Sequence, residues 1–161
     1  MTETPETSVR PGIAKLPLLA ALIALLGLAD AIYLTIHHYN AEPVPCGAGF
    51  DCEMVLTSPY STLSGFIGSA GGLGDVPLSI PGAIAYFLVF SLALLAAFGD
   101  GRMWKLFGVQ ITLMAVFAGY LIYLQGMVIH AFCQYCLISA ATTFTLFIIY
   151  LVSIFVRRRP A

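Results

Sequence analysis

Cys133 and Cys136 stand three positions apart in the stretch His130-Ala131-Phe132-Cys133-Gln134-Tyr135-Cys136-Leu137, inside one of the longest apolar runs of the chain. Two thiols at that spacing can open and close a disulfide, with the thiolate as the reactive form. The run from Leu106 to Val156 is about twice what one membrane helix needs, so it must fold back on itself. Gly126 to Phe132 is the best place for the bend. That choice sets both cysteines on the first turn of a helix entering the bilayer, where unpaired N–H groups and aligned peptide dipoles favour a thiolate. The other two of the four cysteines, Cys46 and Cys52, lie in the only long polar stretch, His38 to Val76.

The elements that must position these sulfurs follow from composition. Of 161 residues, 60% are hydrophobic and 9% charged, far from the usual quarter charged of soluble domains. The chain therefore reads as an integral membrane protein of one domain, and its near-neutral charge gives no hint of a nucleic-acid partner. The expected fold is all-α: a bundle of four transmembrane helices at about 13–36, 78–98, 105–128 and 133–156, forming a membrane domain over 13–156. Residues 1–12 read as a disordered cytoplasmic tail and 157–161 as a basic cytoplasmic tail. The first span is read as retained, because it is too long for a signal peptide and lacks a small-x-small cleavage site before His37 and His38.

Between the first two spans runs a long outer loop. Its first half, broken by Pro43, Pro45, Gly47 and Gly49, is expected to be irregular, and Glu53 to Phe66 a short interfacial helix. Gly65 to Gly74 then reads as a flexible link, and Pro81 falls in the first turn of the second span, where its missing N–H does no harm.

All seven Lys and Arg residues fall at three places: Arg10 and Lys15, then Arg102 and Lys105, then Arg157, Arg158 and Arg159. With four spans those places share one face, while the loop holding Glu42, Asp51, Glu53 and Asp75 has no Lys or Arg. The positive-inside rule then puts both termini in the cytoplasm and all four cysteines on the outer, oxidising side of the cell membrane.

Three uses of the cysteines compete at this point. Cys133 and Cys136 can be a catalytic pair served by a mobile Cys46/Cys52 pair, the loop pair meeting a protein thiol and the membrane-edge pair a lipid-soluble redox partner. All four can instead form structural disulfides, although a Cys-x-x-Cys bridge closes too short a loop to stabilise much. Or His130, Cys133 and Cys136 can hold zinc together with Cys46 or Cys52, a set that an oxidising compartment disfavours.

The pattern Cys46-x5-Cys52, Thr57-Ser58-Pro59-Tyr60 and Cys133-Gln134-Tyr135-Cys136 resembles the vitamin K epoxide reductase family, specifically bacterial members without a fused thioredoxin-like domain. Gly27-Leu28 with Tyr33-Leu34-Thr35 in the first span, and Ile80-Pro81-Gly82 with Tyr86 in the second, look similar too. The resemblance runs from Leu16 to Val156; the periplasmic disulfide-forming quinone reductases have the opposite order of cysteine pairs. It implies a route in which Cys46/Cys52 oxidises a thioredoxin-like partner, Cys52 passes electrons to Cys133, and Cys136 contacts a membrane quinone such as ubiquinone or menaquinone. It also implies a quinone pocket near Tyr60, Ser79, Pro81, Tyr86, Leu121 and Ile129. Animal members use an Asn at the start of the second span and a Tyr four residues after the Cys-x-x-Cys to bind quinone oxygens. Leu78 and Ala140 occupy the matching positions here, which favours a respiratory quinone over the epoxide.

Two further residues carry expectations. Asp30 lies inside the first span, where a carboxylate is costly and marks function by default; it suits a proton path or a head-group contact, or a hydrogen bond to Tyr33. His130 would stabilise a Cys133 thiolate if the turn between them were helical.

Overall fold

The structure, a computed structural model, describes residues 11–67 and 76–158. Most of the tail expected at 1–12, all but the first residues of the link expected at 65–74, and Arg159 to Ala161 lie outside the described residues. In chain order the helices are α1 (Pro11–Asn40), the short α2 (Cys52–Leu56) and α3 (Ser64–Ile67), then α4 (Ser79–Ala97), α5 (Gly101–Leu124) and α6 (Gln134–Arg158). Four of them are long and apolar enough to cross a membrane. Even the shortest, α4 with 19 residues, reaches about 28 Å by helical rise, close to the hydrocarbon thickness. The chain is an all-α, multi-pass membrane bundle.

The long helices close a ring in which α1 packs on α4 and α6, and α5 packs on the same two. Lipid tails give no hydrophobic drive to helix association, so close approach of small residues has to supply it. α1 supplies them on one face, with Ala20, Ala24, Gly27 and Ala31 at helical spacing and the three alanines buried. Gly27 lies against the ring of Tyr86, where any Cβ would collide. At the other end of the bundle Trp104 stacks on Phe107 at 4.5 Å between centroids and donates its Nε1–H to Ser153 Oγ at 2.8 Å. Leu26, Val116 and Phe155 point outward, as lipid-facing side chains should.

Several element ends differ from the sequence expectation for local reasons. α1 runs past residue 36 to Asn40 and stops where Ala41 turns left-handed at φ 53°. α5 starts at Gly101 rather than 105, because Asp100 caps it by accepting the Arg102 N–H at 2.9 Å. The expected single interfacial helix over Glu53 to Phe66 is instead three short pieces: α2, a 3₁₀ turn at Pro59–Ser61, and α3. Thr57 and Ser58 hydroxyls take the carbonyls of Glu53 and Val55, both at 2.7 Å, and Pro59 cannot continue the helix. Leu63 N–H to Val76 O and Leu78 N–H to Ser61 O, both 2.9 Å, then pin this segment to the start of α4.

Candidate active site

The bend in the long apolar run is a widened π turn, Gln125–Ile129, closed by His130 in the left-handed region at φ 56°. π turns are rare and concentrate at functional sites. This one turns Gln125 inward. Only 3% exposed, Gln125 accepts the backbone N–H of Cys133 on Oε1 at 2.9 Å, while its own carbonyl accepts from His130 and Ala131. An apolar span offers few partners for a buried amide, so this one fixes the start of the next helix. Sequence reasoning missed it; a Gln near the end of an apolar span was the available signal.

Cys133 is not on the first turn of α6 but one residue before it, as the cap. Its carbonyl accepts the Leu137 N–H at 3.0 Å and its sulfur the Cys136 N–H at 3.4 Å. A side-chain acceptor bonded to the third helical N–H is the arrangement of an N-cap, here made by sulfur. The Cys136 thiol, hydrogen-bonded to Cys133, holds the Cys133 thiol below its ordinary value; the N–H groups of Cys136 and Tyr135 help, against burial and the charge of Asp30. These surroundings make Cys133 ionise more readily than an ordinary thiol. The turn to His130 is not helical, and that residue is exposed, so the condition for its acting on Cys133 is not met.

Cys46 and Cys52 form a disulfide, with Cα atoms 6.1 Å apart, while Cys133 and Cys136 are free thiols. Asp51 caps α2 through Met54 N–H at 3.0 Å, which puts Cys52 at the first helical position. Cys52 and Cys133 are buried in one apolar cluster with Val55 and Ala131, and Cys46 and Cys136 pack at its edge. Three hydrogen bonds hold the loop in place over α6. Gly47 N–H donates to Gln134 Oε1 at 2.9 Å, Tyr135 O–H to the Pro45 carbonyl at 3.1 Å, and Asp51 N–H to the Phe132 carbonyl at 3.0 Å. Tyr135 is itself set against the ring of Tyr33 on α1, 5.1 Å between centroids.

Behind the cluster opens a cavity of about 1010 Å³ between α1, α4, α5, α6 and the loop. Asp30, Tyr60, Ser79, Pro81, Tyr86, Leu121 and Ile129 all line it, together with Cys136 and with Leu78 and Ala140. Its walls are mainly apolar, with a few convergent polar groups, the usual make-up of a small-molecule site. Ser79 Oγ is bonded to Thr35 Oγ1 at 2.8 Å, and the Tyr86 hydroxyl donates to the Ser139 carbonyl and meets Thr143 Oγ1, each at 2.7 Å. Among the described residues no group of three or more His, Cys, Asp or Glu is arranged to hold a metal ion.

Paired cysteines at one end of a lipid-embedded bundle, two bonded and two free in a single cluster, define a membrane thiol oxidoreductase. The vitamin K epoxide reductase (VKOR) family model matches residues 18–151, and the chain belongs to that family. Family membership supports a membrane thiol oxidoreductase that sits in a bilayer and works with redox partners.

Proposed function

We propose that this protein oxidises the thiols of a thioredoxin-like partner and passes the two electrons to a membrane quinone, ubiquinone or menaquinone, in support of disulfide formation. The observation that carries the reading is the placement of Cys133. It is fully buried beside Cys52 on one side, while its neighbour Cys136 faces the cavity.

The chemistry is thiol–disulfide exchange followed by quinone reduction. Cys46, the less buried loop sulfur, is the one a partner thiolate reaches, and its reduction leaves Cys46 and Cys52 as thiols. Cys52 then attacks Cys133 of the inner disulfide and releases Cys136. Cys46 attacks the resulting Cys52–Cys133 bridge, and Cys133 departs as the thiolate its surroundings favour; a leaving thiol of low pKa leaves faster. A bonded loop pair with a free inner pair is the product of that exchange, and the observed pairing is compatible with it. Finally the Cys133/Cys136 dithiol gives two electrons and two protons to the quinone and closes again. Leu78 and Ala140, where animal members carry Asn and Tyr, suit a respiratory quinone rather than the epoxide. The basic residues Lys15, Arg102 and Lys105 support a topology with both termini in the cytoplasm and the cysteines outside.

The test is quinone reduction by purified protein with a reduced thioredoxin-like donor. Cys133→Ser and Cys136→Ser should abolish it and leave a folded protein, whereas a scaffold with structural disulfides would lose expression or stability instead.

A further inference from the structure

Reducing a quinone needs protons at two oxygens, yet exchange between sulfurs supplies only the electrons directly. Cys136 lines the cavity, and the one side chain there that carries a carboxyl within the membrane-spanning helices is Asp30. It lies ten residues before the end of α1, about 15 Å down the helix axis. Gly27, one turn below it, seats the ring of Tyr86, and the Tyr86 hydroxyl meets Ser139 Oγ at 3.1 Å, one turn beyond Cys136 on α6. Asp30 is thus at the level where α1, α4 and α6 converge on the cavity. Its Oδ2 is buried with no hydrogen-bond partner, and no Lys or Arg lines the cavity to neutralise it. The expected bond to Tyr33 does not satisfy this oxygen. An unsatisfied carboxyl in hydrocarbon destabilises the bundle, so a bundle that keeps one has a use for it.

We propose that Asp30 is the proton-transfer residue of the quinone site, a step that rests on the function proposed above. As the electron pair leaves the inner dithiol, the Asp30 carboxyl gives its proton to a quinone oxygen. As the Cys133–Cys136 bond closes, one thiol proton restores the Asp30 carboxyl and the other goes to the second quinone oxygen. Over the cycle two S–H bonds break, one S–S bond forms, two O–H bonds form on the quinone, and Asp30 returns to its starting state. The titratable groups within electrostatic reach of Asp30 are Tyr86 from α4 and Cys133, Tyr135 and Cys136 from the start of α6. Of these, the thiols are the electron source, and Tyr86 donates its proton to the Ser139 carbonyl.

The experiment is anaerobic single-turnover reduction of a short-chain benzoquinone by dithiothreitol-reduced protein in phosphatidylcholine nanodiscs, followed across pH for wild type, Asp30→Asn and Asp30→Glu. Reduction of the loop disulfide by dithiothreitol is timed separately. Wild type should show a limb in which quinone reduction slows as pH rises and the carboxyl loses its proton. Asp30→Asn should lose that limb and slow the quinone step about a hundredfold, the low end of general acid–base contributions, with the dithiothreitol step at the wild-type rate. Asp30→Glu should keep the limb, displaced in pH. The proposal is overturned if Asp30→Asn reduces quinone within about threefold of wild type with the same pH profile, or if both half-reactions fall together. It is also overturned if the Asp30→Glu profile superimposes on wild type, which serves as the deciding result should Asp30→Asn not fold. Failure of wild type itself to reduce quinone would instead remove the function proposed above.

Discussion

The hydrogen bonds that hold the loop over Cys133 can be removed without touching a cysteine. In Gln134→Ala the acceptor for Gly47 N–H is lost, and in Tyr135→Phe the hydroxyl that donates to Pro45 is lost while the ring stays against Tyr33. Both bonds are solvent-exposed, so each belongs at the lower end of neutral hydrogen bonds, about 0.5–1 kcal/mol. Lifting the loop as one unit breaks both bonds together, so the double variant loses about 1–2 kcal/mol; the Asp51 to Phe132 bond remains in every variant. Cys133, with no exposed surface, is reached by an alkylating reagent only when the loop lifts. The double variant should therefore raise alkylation at Cys133, read by peptide mass spectrometry, about 5- to 30-fold, and each single variant by roughly the square root of that. A double variant within twofold of wild type would refute the view that these contacts hold the loop down.

Other expectations concern the supports of the site. Gln125→Leu leaves the Cys133 N–H buried without an acceptor and should cost about 1–3 kcal/mol in detergent unfolding; a loss under about 0.5 kcal/mol would mean that water replaces the amide. Gly27→Ala drives a Cβ into the Tyr86 ring, which its hydroxyl bonds hold in place, and should cost about 1–3 kcal/mol by the same measurement. In Cys136→Ala the donor that favours the Cys133 thiolate is gone, so the thiolate absorbance near 240 nm should titrate at higher pH than in wild type. The sign for stability follows: the depressed Cys133 value stabilises the fold above the free-thiol value, and that contribution fades as pH falls through the depressed one.

Much of the architecture was legible because membrane physics writes it in long runs. Four apolar stretches, a fold-back between Gly126 and Phe132, and a polar loop carrying Cys46 and Cys52 needed only hydropathy and length. The residues that the family resemblance put near a quinone do line one cavity with Cys136. What stayed hidden was chemistry between distant positions. Nothing in Pro45, Gly47 or Asp51 announces partners about eighty to ninety residues away on Tyr135, Gln134 and Phe132, because backbone carbonyls and amides carry no sequence signature. The shift of Cys133 from first turn to cap is likewise a matter of one residue, set by where the π turn lets go of the chain.

The complete enclosure of Cys133 between the loop and the cavity also insulates the circuit. On the proposed route, current enters only through the loop pair, and a reductant dissolved outside finds no shorter wire to the lipid.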